Sequence, residues 1–161
     1  MTDPLAFLLT WTCYGTWLHG DPHGSVAPGH NAPGTDTLPP NPARQRFEQR
    51  RMNSAPAELT PPGRRVVAEA LAAHARLRRW ELLAANVRSN HVHVVVAYAG
   101  LRPEKMLAEF KAWCTRRLRE AGSAASGNRT WTRHGSTRYL WDARSVNAAI
   151  AYVVEGQDVA R

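Results

Sequence analysis

The stretch Asn90-His91-Val92-His93-Val94-Val95-Val96 carries the clearest strand pattern in the chain. Because successive side chains of a β-strand alternate between its two faces, His91 and His93 point to the same side. The alternating valines form a β-branched stripe on the other side, which is suited to a protein core. The stretch therefore predicts a strand that packs on one face and presents two imidazoles on the other.

Two neighbouring imidazoles can hold a metal ion. They suit Mn²⁺, Zn²⁺ or iron, and also Mg²⁺ when carboxylate, amide, water or phosphate oxygens complete the coordination. A half-exposed strand that carries two histidines without a metal explains the same residues equally well. The motif alone leaves both interpretations open.

The composition predicts one basic domain. The chain has 161 residues, of which 43% are apolar, enough for a single domain (1–161) with a sizeable core. Lys and Arg outnumber Asp and Glu by 21 to 13, and the net charge of +8 favours a polyanionic partner, with nucleic acid the first candidate. We expect a cytoplasmic protein with no membrane span, because no apolar run reaches about 18 residues and no signal-peptide core is visible. Cys13 and Cys114 are too few for a disulfide framework, so we expect two buried thiols.

The order of the predicted elements indicates the fold. Periodicity predicts strands at residues 5–14, 80–87 and 90–96, helices at 64–79 and 103–120, two short strands about a turn in 131–141, and a last helix at 146–155. Ser145 is the expected N-cap of the last helix and Gly156 its stop. This order predicts an α+β fold, a ferredoxin-like (split βαβ) antiparallel sheet with helices on one face and an additional C-terminal helix. The first strand and the His91 strand are then central neighbours, while the face that carries the histidines depends on the register.

The segment from about residue 19 to residue 63 is rich in Pro and Gly and lacks clear periodicity, which predicts an insertion in the domain. It contains His19, Asp21, His23 and His30 at irregular spacing. Exposure to solvent explains these residues better than a metal site does.

Basic side chains gather in two of the predicted elements. The helix at 103–120 is amphipathic with a basic outer side, and the segment 131–141 interleaves basic and aromatic residues. The aromatic side chains of Trp131, Tyr139 and Trp141 are suited equally to stacking on bases and to a core. The residues predicted to contact DNA are Lys105, Lys111, Arg116, Arg117, Arg133 and Arg138.

The last helix carries Tyr152 beside the small residues Ala148 and Gly156, where its hydroxyl has room to reach a cleft. Burial in the core is the commoner fate of such a tyrosine. Both interpretations stay open from the helix alone.

Four features together resemble a known family. They are the opening strand with Trp11-Thr-Cys-Tyr-Gly-Thr-Trp17-Leu, the Ser-Asn-His-Val-His run, Trp113 in a basic helix, and Tyr152 ahead of Gln157. This combination resembles the single-tyrosine HUH transposases, and among them the REP-associated tyrosine transposases of bacteria. The resemblance spans nearly the whole chain outside the insertion.

The resemblance implies a homodimeric, metal-dependent endonuclease and strand transferase that acts on single-stranded DNA at hairpins or repeats. His91 and His93 would match the histidine pair that binds Mg²⁺ or Mn²⁺, and Tyr152 would match the nucleophile. Attack by the tyrosine would give a 5′-phosphotyrosine intermediate and a 3′-hydroxyl. Because the phosphotyrosine keeps the energy of the broken linkage, a second 3′-hydroxyl can reverse the step on another strand.

The third metal ligand departs from the family pattern. In the insertion-sequence members a glutamine follows the tyrosine by four residues, whereas that position here is Gly156 and the glutamine is Gln157. If the helix ends at Gly156 in a left-handed turn, Gln157 can reach back towards the metal. Otherwise Glu155 is the alternative ligand.

Two other functions remain compatible with the sequence. One is a ferredoxin-like nucleic-acid-binding protein without catalysis, in which the histidines and tyrosine are structural. The other is a metal-dependent hydrolase that uses water as the nucleophile.

Overall fold

The structure, a computed structural model, describes residues 2–15, 57–123 and 129–155. Most of the expected insertion lies outside these residues, and so do Gly156 and Gln157. The elements of the described chain are β1 (Ala6–Thr12), α1 (Pro61–Arg78), β2 (Leu82–Val87), β3 (His91–Ala97), α2 (Pro103–Glu120), β4 (Ser136–Leu140) and α3 (Ala143–Val154).

The strands form one antiparallel sheet in the order β2-β3-β1-β4. Strands β1 and β3 lie at its centre, and Thr10 pairs with His93 in their register. Helix α1 follows β1, helix α2 follows β3, and the β2–β3 hairpin lies between the two helices in the chain. This is the split βαβ arrangement. The predicted α+β, ferredoxin-like class and the central position of the His91 strand are confirmed.

One face of the sheet, which we call the two-helix face, packs under α1 and α2 and holds the main core. Strand β1 contributes Phe7, Leu9 and Trp11 to it, and β3 contributes the valine stripe predicted from the sequence. The indole of Trp11 stacks against the ring of Phe110 on α2, with ring centroids 6.5 Å apart. The apolar side of the central strands is therefore fully enclosed.

The opposite face, which we call the histidine face, carries the alternate side chains of the same strands. At the end of the sheet where β1 begins, Ala6, Val95 and Leu140 pack against Ala149 and Val153 of α3. The additional C-terminal helix thus lies on the face opposite α1 and α2. It covers the apolar end of the histidine face, and the two histidines lie towards the other end.

Helix starts differ from the predictions where a side chain caps the helix earlier. Helix α1 begins at Pro61 because the hydroxyl of Thr60 accepts a hydrogen bond of 3.1 Å from the backbone of Gly63, and proline suits the first helical turn. Helix α3 begins at Ala143 because the Asp142 carboxylate accepts from the backbone of Ser145 at 2.7 Å. The prediction that Ser145 is the N-cap is therefore wrong.

The predicted hairpin in residues 131–141 is also wrong. Residues 136–140 form β4 and pair with β1, while Trp131 forms an isolated bridge with Cys13, which follows β1. Both parts of the segment pair with the β1 side of the sheet and not with each other. Trp131 is buried, and its Nε1 donates to the carbonyl of Lys111 at 3.1 Å, so this residue belongs to the core.

Both cysteines are buried free thiols, as predicted. Burial raises the pKa of each thiol to about 12, with Glu58 adding to the effect at Cys13. Both therefore stay protonated at neutral pH. Within the described ranges, no helix combines the length and the apolar character needed to span a membrane.

Gly135 lets β4 approach β1, and this gives a test of the sheet packing. A Cβ at this position would lie 2.6 Å from the carbonyl oxygen of Thr10 and 2.8 Å from Cδ2 of Leu107. Replacing Gly135 with Ala should lower the free energy of unfolding by about 1–3 kcal/mol, because the overlap forces strand and helix apart. Chemical denaturation measures this, with Ser136→Ala as a neighbouring control that should change stability little. Equal stability of Gly135→Ala and the wild type would contradict the close packing of β4 on β1.

Candidate active site

The two histidines lie side by side on the histidine face of β3. Their ring centroids are 4.9 Å apart and their planes are inclined by 81°. His93 is buried and His91 is half-buried. The alternation of side chains therefore pairs the imidazoles, while the β1–β3 register decides that they face α3 and not the main core.

The Nδ1 atoms of both imidazoles have polar partners that orient the rings. Nδ1 of His91 lies 2.6 Å from Oδ1 of Asn90, and Nδ1 of His93 lies 2.8 Å from Oγ1 of Thr10. An amide oxygen only accepts, so Nδ1 of His91 donates, and in the neutral ring the lone pair is then on Nε2. If the Thr10 hydroxyl likewise accepts from His93, the same tautomer results. Such partners of the second ring nitrogen are typical of metal-binding histidines.

Burial also sets the charge state of His93. Loss of solvation lowers the pKa of its imidazole from 6.5 to about 3, with His91 and then Arg88 adding to the same direction. His93 is therefore neutral at physiological pH. A neutral imidazole is the form that binds metal ions.

A row of polar side chains crosses the sheet at the level of His93. Ser136, Thr10, His93 and Asn86 lie opposite one another on β4, β1, β3 and β2. Paired residues of neighbouring antiparallel strands share a face, so this row belongs to the histidine face. It marks the boundary between the apolar end under α3 and the polar end with the histidines.

Helix α3 brings Tyr152 to this boundary. The ring of Tyr152 lies 5.6 Å from the ring of His93 between centroids, and the two planes are inclined by 81°. Tyr152 is 49% exposed, so it is not the core tyrosine that was the commoner expectation. The neighbouring Val153 and the Ala149 one turn earlier are buried against the sheet. Their contacts hold Tyr152 at the edge of the helix–sheet interface, next to the histidine pair.

No protein-family model matches the sequence, and no curated protein is significantly similar to it. Among solved structures, a REP-associated tyrosine transposase bound to a REP hairpin is similar, with a TM-score of 0.50 and 9% identity over 94% of this chain and 66% of that one. A candidate transposase from Deinococcus radiodurans aligns with a TM-score of 0.46 and 15% identity, over 99% of this chain and 95% of that one. The first likeness establishes the fold. It agrees with the fold implied by the family resemblance in the sequence, and this chain spans just under two thirds of that neighbour's length.

The residues present partly suit a metal site. Two imidazoles with oriented rings, of which His93 is neutral, are suitable donors for Mn²⁺, and for Mg²⁺ when oxygen ligands complete the coordination. Within residues 2–15, 57–123 and 129–155, no three His, Cys, Asp or Glu side chains form a group that could hold a metal. Glu155 is not grouped with the histidine pair in this structure, and Gln157 lies outside the described residues.

The predicted DNA-contacting cations occupy different parts of the fold. Arg138 pairs with Leu8 and so lies on the histidine face, where it is exposed. The α2 cations lie on the helix layer of the opposite face. Among them, Arg116 and Arg117 form ion pairs with Glu120 at 3.1 and 3.2 Å.

Lys105 and Arg133 are exposed, whereas Lys111 has a local structural role. The ammonium group of Lys111 donates to the carbonyls of Thr132, Arg133 and His134 at 2.7, 3.4 and 3.4 Å. Burial and then Arg129 lower its pKa to about 8. Lys111 therefore ties α2 to the segment before β4, and of the six cations Arg138 is the one that the sheet register places on the histidine face.

Sequence reasoning missed Thr10 and Asn86. Asn86 is the single polar residue of β2, and Thr10 is one of two threonines in β1, which is a weak signal. Their relation to His93 depends on which strands pair and in what register. The periodicity of the sequence gives neither the strand pairing nor the register.

The buried neutral state of His93 predicts a pH dependence of stability. Between pH 6.5 and about pH 3, the unfolded chain binds a proton that native His93 does not. The free energy of unfolding of the metal-free protein should therefore fall with decreasing pH in this range, by about 1.4 kcal/mol per pH unit for this group. Chemical denaturation in a chelator between about pH 7 and pH 4 measures the slope, and His93→Gln should flatten it. Equal slopes in the variant and the wild type would show that His93 does not contribute.

The hydrogen bond between Thr10 and His93 predicts an effect on metal binding. Thr10→Val keeps the shape of the side chain but removes the hydroxyl, so the imidazole loses the partner that orients it. The affinity for Mn²⁺ should fall about tenfold while the fold is retained. Calorimetric titration with Mn²⁺ measures this, with Thr137→Val as the control, because Thr137 pairs with Leu9 and faces the other side of the sheet. Unchanged affinity in Thr10→Val would separate Thr10 from the metal site.

Proposed function

We propose that the protein is a metal-dependent single-stranded DNA endonuclease and strand transferase of the transposase type, acting at hairpin or repeat DNA through a 5′-phosphotyrosine intermediate. The observation that carries the proposal is the placement of a half-exposed tyrosine, Tyr152, with its ring 5.6 Å from the ring of His93 in a histidine pair. The sequence resemblance and the shared fold agree with this chemistry.

The proposed reaction is a transesterification at phosphorus. The Tyr152 hydroxyl oxygen attacks the phosphodiester and loses its proton, while the bond between phosphorus and the 3′-oxygen breaks. The leaving 3′-oxygen takes up a proton, and the 5′-phosphate remains on the tyrosine. One ester linkage replaces another, so a second 3′-hydroxyl can attack the phosphotyrosine and join the strands without ATP.

His91 and His93 are the residues that would hold Mg²⁺ or Mn²⁺, with Gln157 as the proposed third ligand. A bound divalent cation supplies polarisation of the phosphodiester and helps a weak phenol nucleophile to react. The chain itself supplies the placement of Tyr152 beside the imidazoles. Thr10 and Asn90 orient the rings.

The charge of the chain supports DNA as the substrate. A net charge of +8 favours contacts with phosphates. On the histidine face, Arg138 is exposed, and we expect it to contact a phosphate of the bound strand. On the other side of β4, Tyr139 and Trp141 are exposed with ring centroids 5.6 Å apart, and such a pair is suited to stacking on unpaired bases. A homodimer is also part of the proposal, because the resemblance implies it.

The covalent intermediate gives the direct test. Wild-type protein incubated with Mn²⁺ and hairpin DNA that carries a labelled single-stranded flank should form a covalent adduct that survives denaturation. Tyr152→Phe keeps the ring and removes the attacking oxygen, so the adduct and strand joining should be lost, with DNA affinity close to wild type. Tyr98→Phe is the matched control. Tyr98 packs against Phe7 on the two-helix face, with ring centroids 6.0 Å apart, and the adduct yield of this variant should match wild type.

Other outcomes identify the competing functions. Cleavage without an adduct would indicate a hydrolase that uses water, and binding without cleavage would indicate a nucleic-acid-binding protein. An adduct that persists in Tyr152→Phe would move the nucleophile to another residue. His91→Ala and His93→Ala should abolish cleavage in Mn²⁺, and retained cleavage would remove the histidines from the metal site.

A further inference from the structure

The C-terminal end of α3 is joined to the sheet by the side chain of Asn86 on β2. Its Nδ2 donates a hydrogen bond of 2.8 Å to the backbone carbonyl of Val153. The last carbonyls of a helix have no partner within the helix, and the last turn of α3 contains no basic side chain to supply one. Asn86 therefore provides a partner for the backbone carbonyl of Val153, the residue that follows Tyr152.

Asn86 is also a neighbour of the histidine pair. It lies opposite His93 in the β2–β3 register, so both side chains are on the histidine face. Thr10 lies opposite His93 on the other side. One cross-strand row thus contains both the residue that orients the His93 imidazole and the residue that binds the end of the tyrosine helix.

The remaining contacts of α3 with the sheet are mainly apolar. The helix has 12 residues, and its buried side chains are the small Ala149 and Val153, with Val146 and Ile150 partly buried. Apolar contact is not directional, whereas a hydrogen bond of 2.8 Å requires a defined approach of donor and acceptor. A shift by one residue along a helix turns a side chain by about 100° and moves it about 1.5 Å. Such a shift would take Tyr152 away from His93.

We propose that Asn86 is a positioning residue that holds Tyr152 in place for attack beside the histidine pair. This inference rests on the proposed function, because the position of Tyr152 matters for reactivity only if it is the nucleophile. Asn86 contacts the backbone of α3, whereas the attacking oxygen belongs to Tyr152. Its loss should therefore slow covalent attack without weakening the metal site or DNA binding.

The expected effect is kinetic. A displacement of about 1 Å at a reacting group can lower a rate by about 100-fold. Asn86→Ala removes the amide donor, and the rate of adduct formation in a single turnover at saturating DNA and Mn²⁺ should fall about 10- to 100-fold. The dissociation constants for Mn²⁺ and for DNA should stay within about twofold of wild type, since the interactions they report are retained.

The control and a second variant keep the test clear. Asn147→Ala removes the same amide from an exposed position of α3 and should leave the rate unchanged. Asn86→Thr is the second variant, for use if Asn86→Ala does not fold. Threonine favours β-strands, and its hydroxyl is too short to reach the carbonyl of Val153. Hydrogen exchange of the amides in the last turn of α3 gives a readout independent of activity. It should be faster in both Asn86 variants and unchanged in Asn147→Ala.

Two results would overturn the inference while the proposed function stands. One is a wild-type rate of adduct formation in the Asn86 variants. The other is a loss of Mn²⁺ affinity by the same factor as the rate, which would place the effect of Asn86 at the metal. Absence of any adduct with the wild-type protein would instead reject the proposed function, and hydrogen exchange would still report whether Asn86 anchors the helix.

Discussion

The pairing of β1 with β3 is the constraint on which the rest of the structure depends. With Thr10 opposite His93, the valine stripe of β3 and the side chains of Phe7 and Leu9 lie on the two-helix face. A shift of the register by one residue would exchange the faces and place the imidazoles beneath α1 and α2. Each buried valine or leucine is worth about 1.5–3 kcal/mol relative to exposure, so such an exchange is strongly disfavoured. The site geometry is thus fixed by the packing of the core on the other side of the sheet.

The histidine face is divided into an apolar end and a polar end. Its apolar end binds α3 through small side chains, which bring the helix close to the sheet. Its polar end holds His91 and His93, and the cross-strand row with Thr10 and Asn86 marks the boundary between the apolar end and the polar end. Tyr152 lies at the edge of the buried stripe of α3, and it therefore meets this boundary while half its surface stays exposed. The role proposed for Tyr152 requires such a position, because a nucleophile must be held by packing and still be reached by a substrate.

The positive charge of the chain is spread over both sides of the sheet, so net charge alone does not locate a DNA path. The local partners of each cation give more information. Lys111 is bound to backbone carbonyls, and Arg116 and Arg117 share Glu120 on the outer side of α2. Arg138 is exposed on the histidine face. Together with Tyr139 and Trp141 on the other side of this edge of the sheet, it gives the β4 edge exposed basic and aromatic side chains.

The sequence by itself determined the class of fold, the helix at residues 103–120, the strand with the histidine pair and the presence of a tyrosine on the last helix. These features follow from local periodicity, in which each side chain's direction depends only on its position in its own element. Sequence reasoning missed the caps at Thr60 and Asp142 and the pairing of residues 131–140 with the β1 side of the sheet. Only the tertiary structure decided which face carries the histidines, that Tyr152 lies beside His93, and that Thr10 and Asn86 flank that imidazole. The contacts of His93 with Thr10 and Tyr152, and of Asn86 with Val153, join residues more than 50 positions apart through strand register and helix docking, and no local pattern contains them.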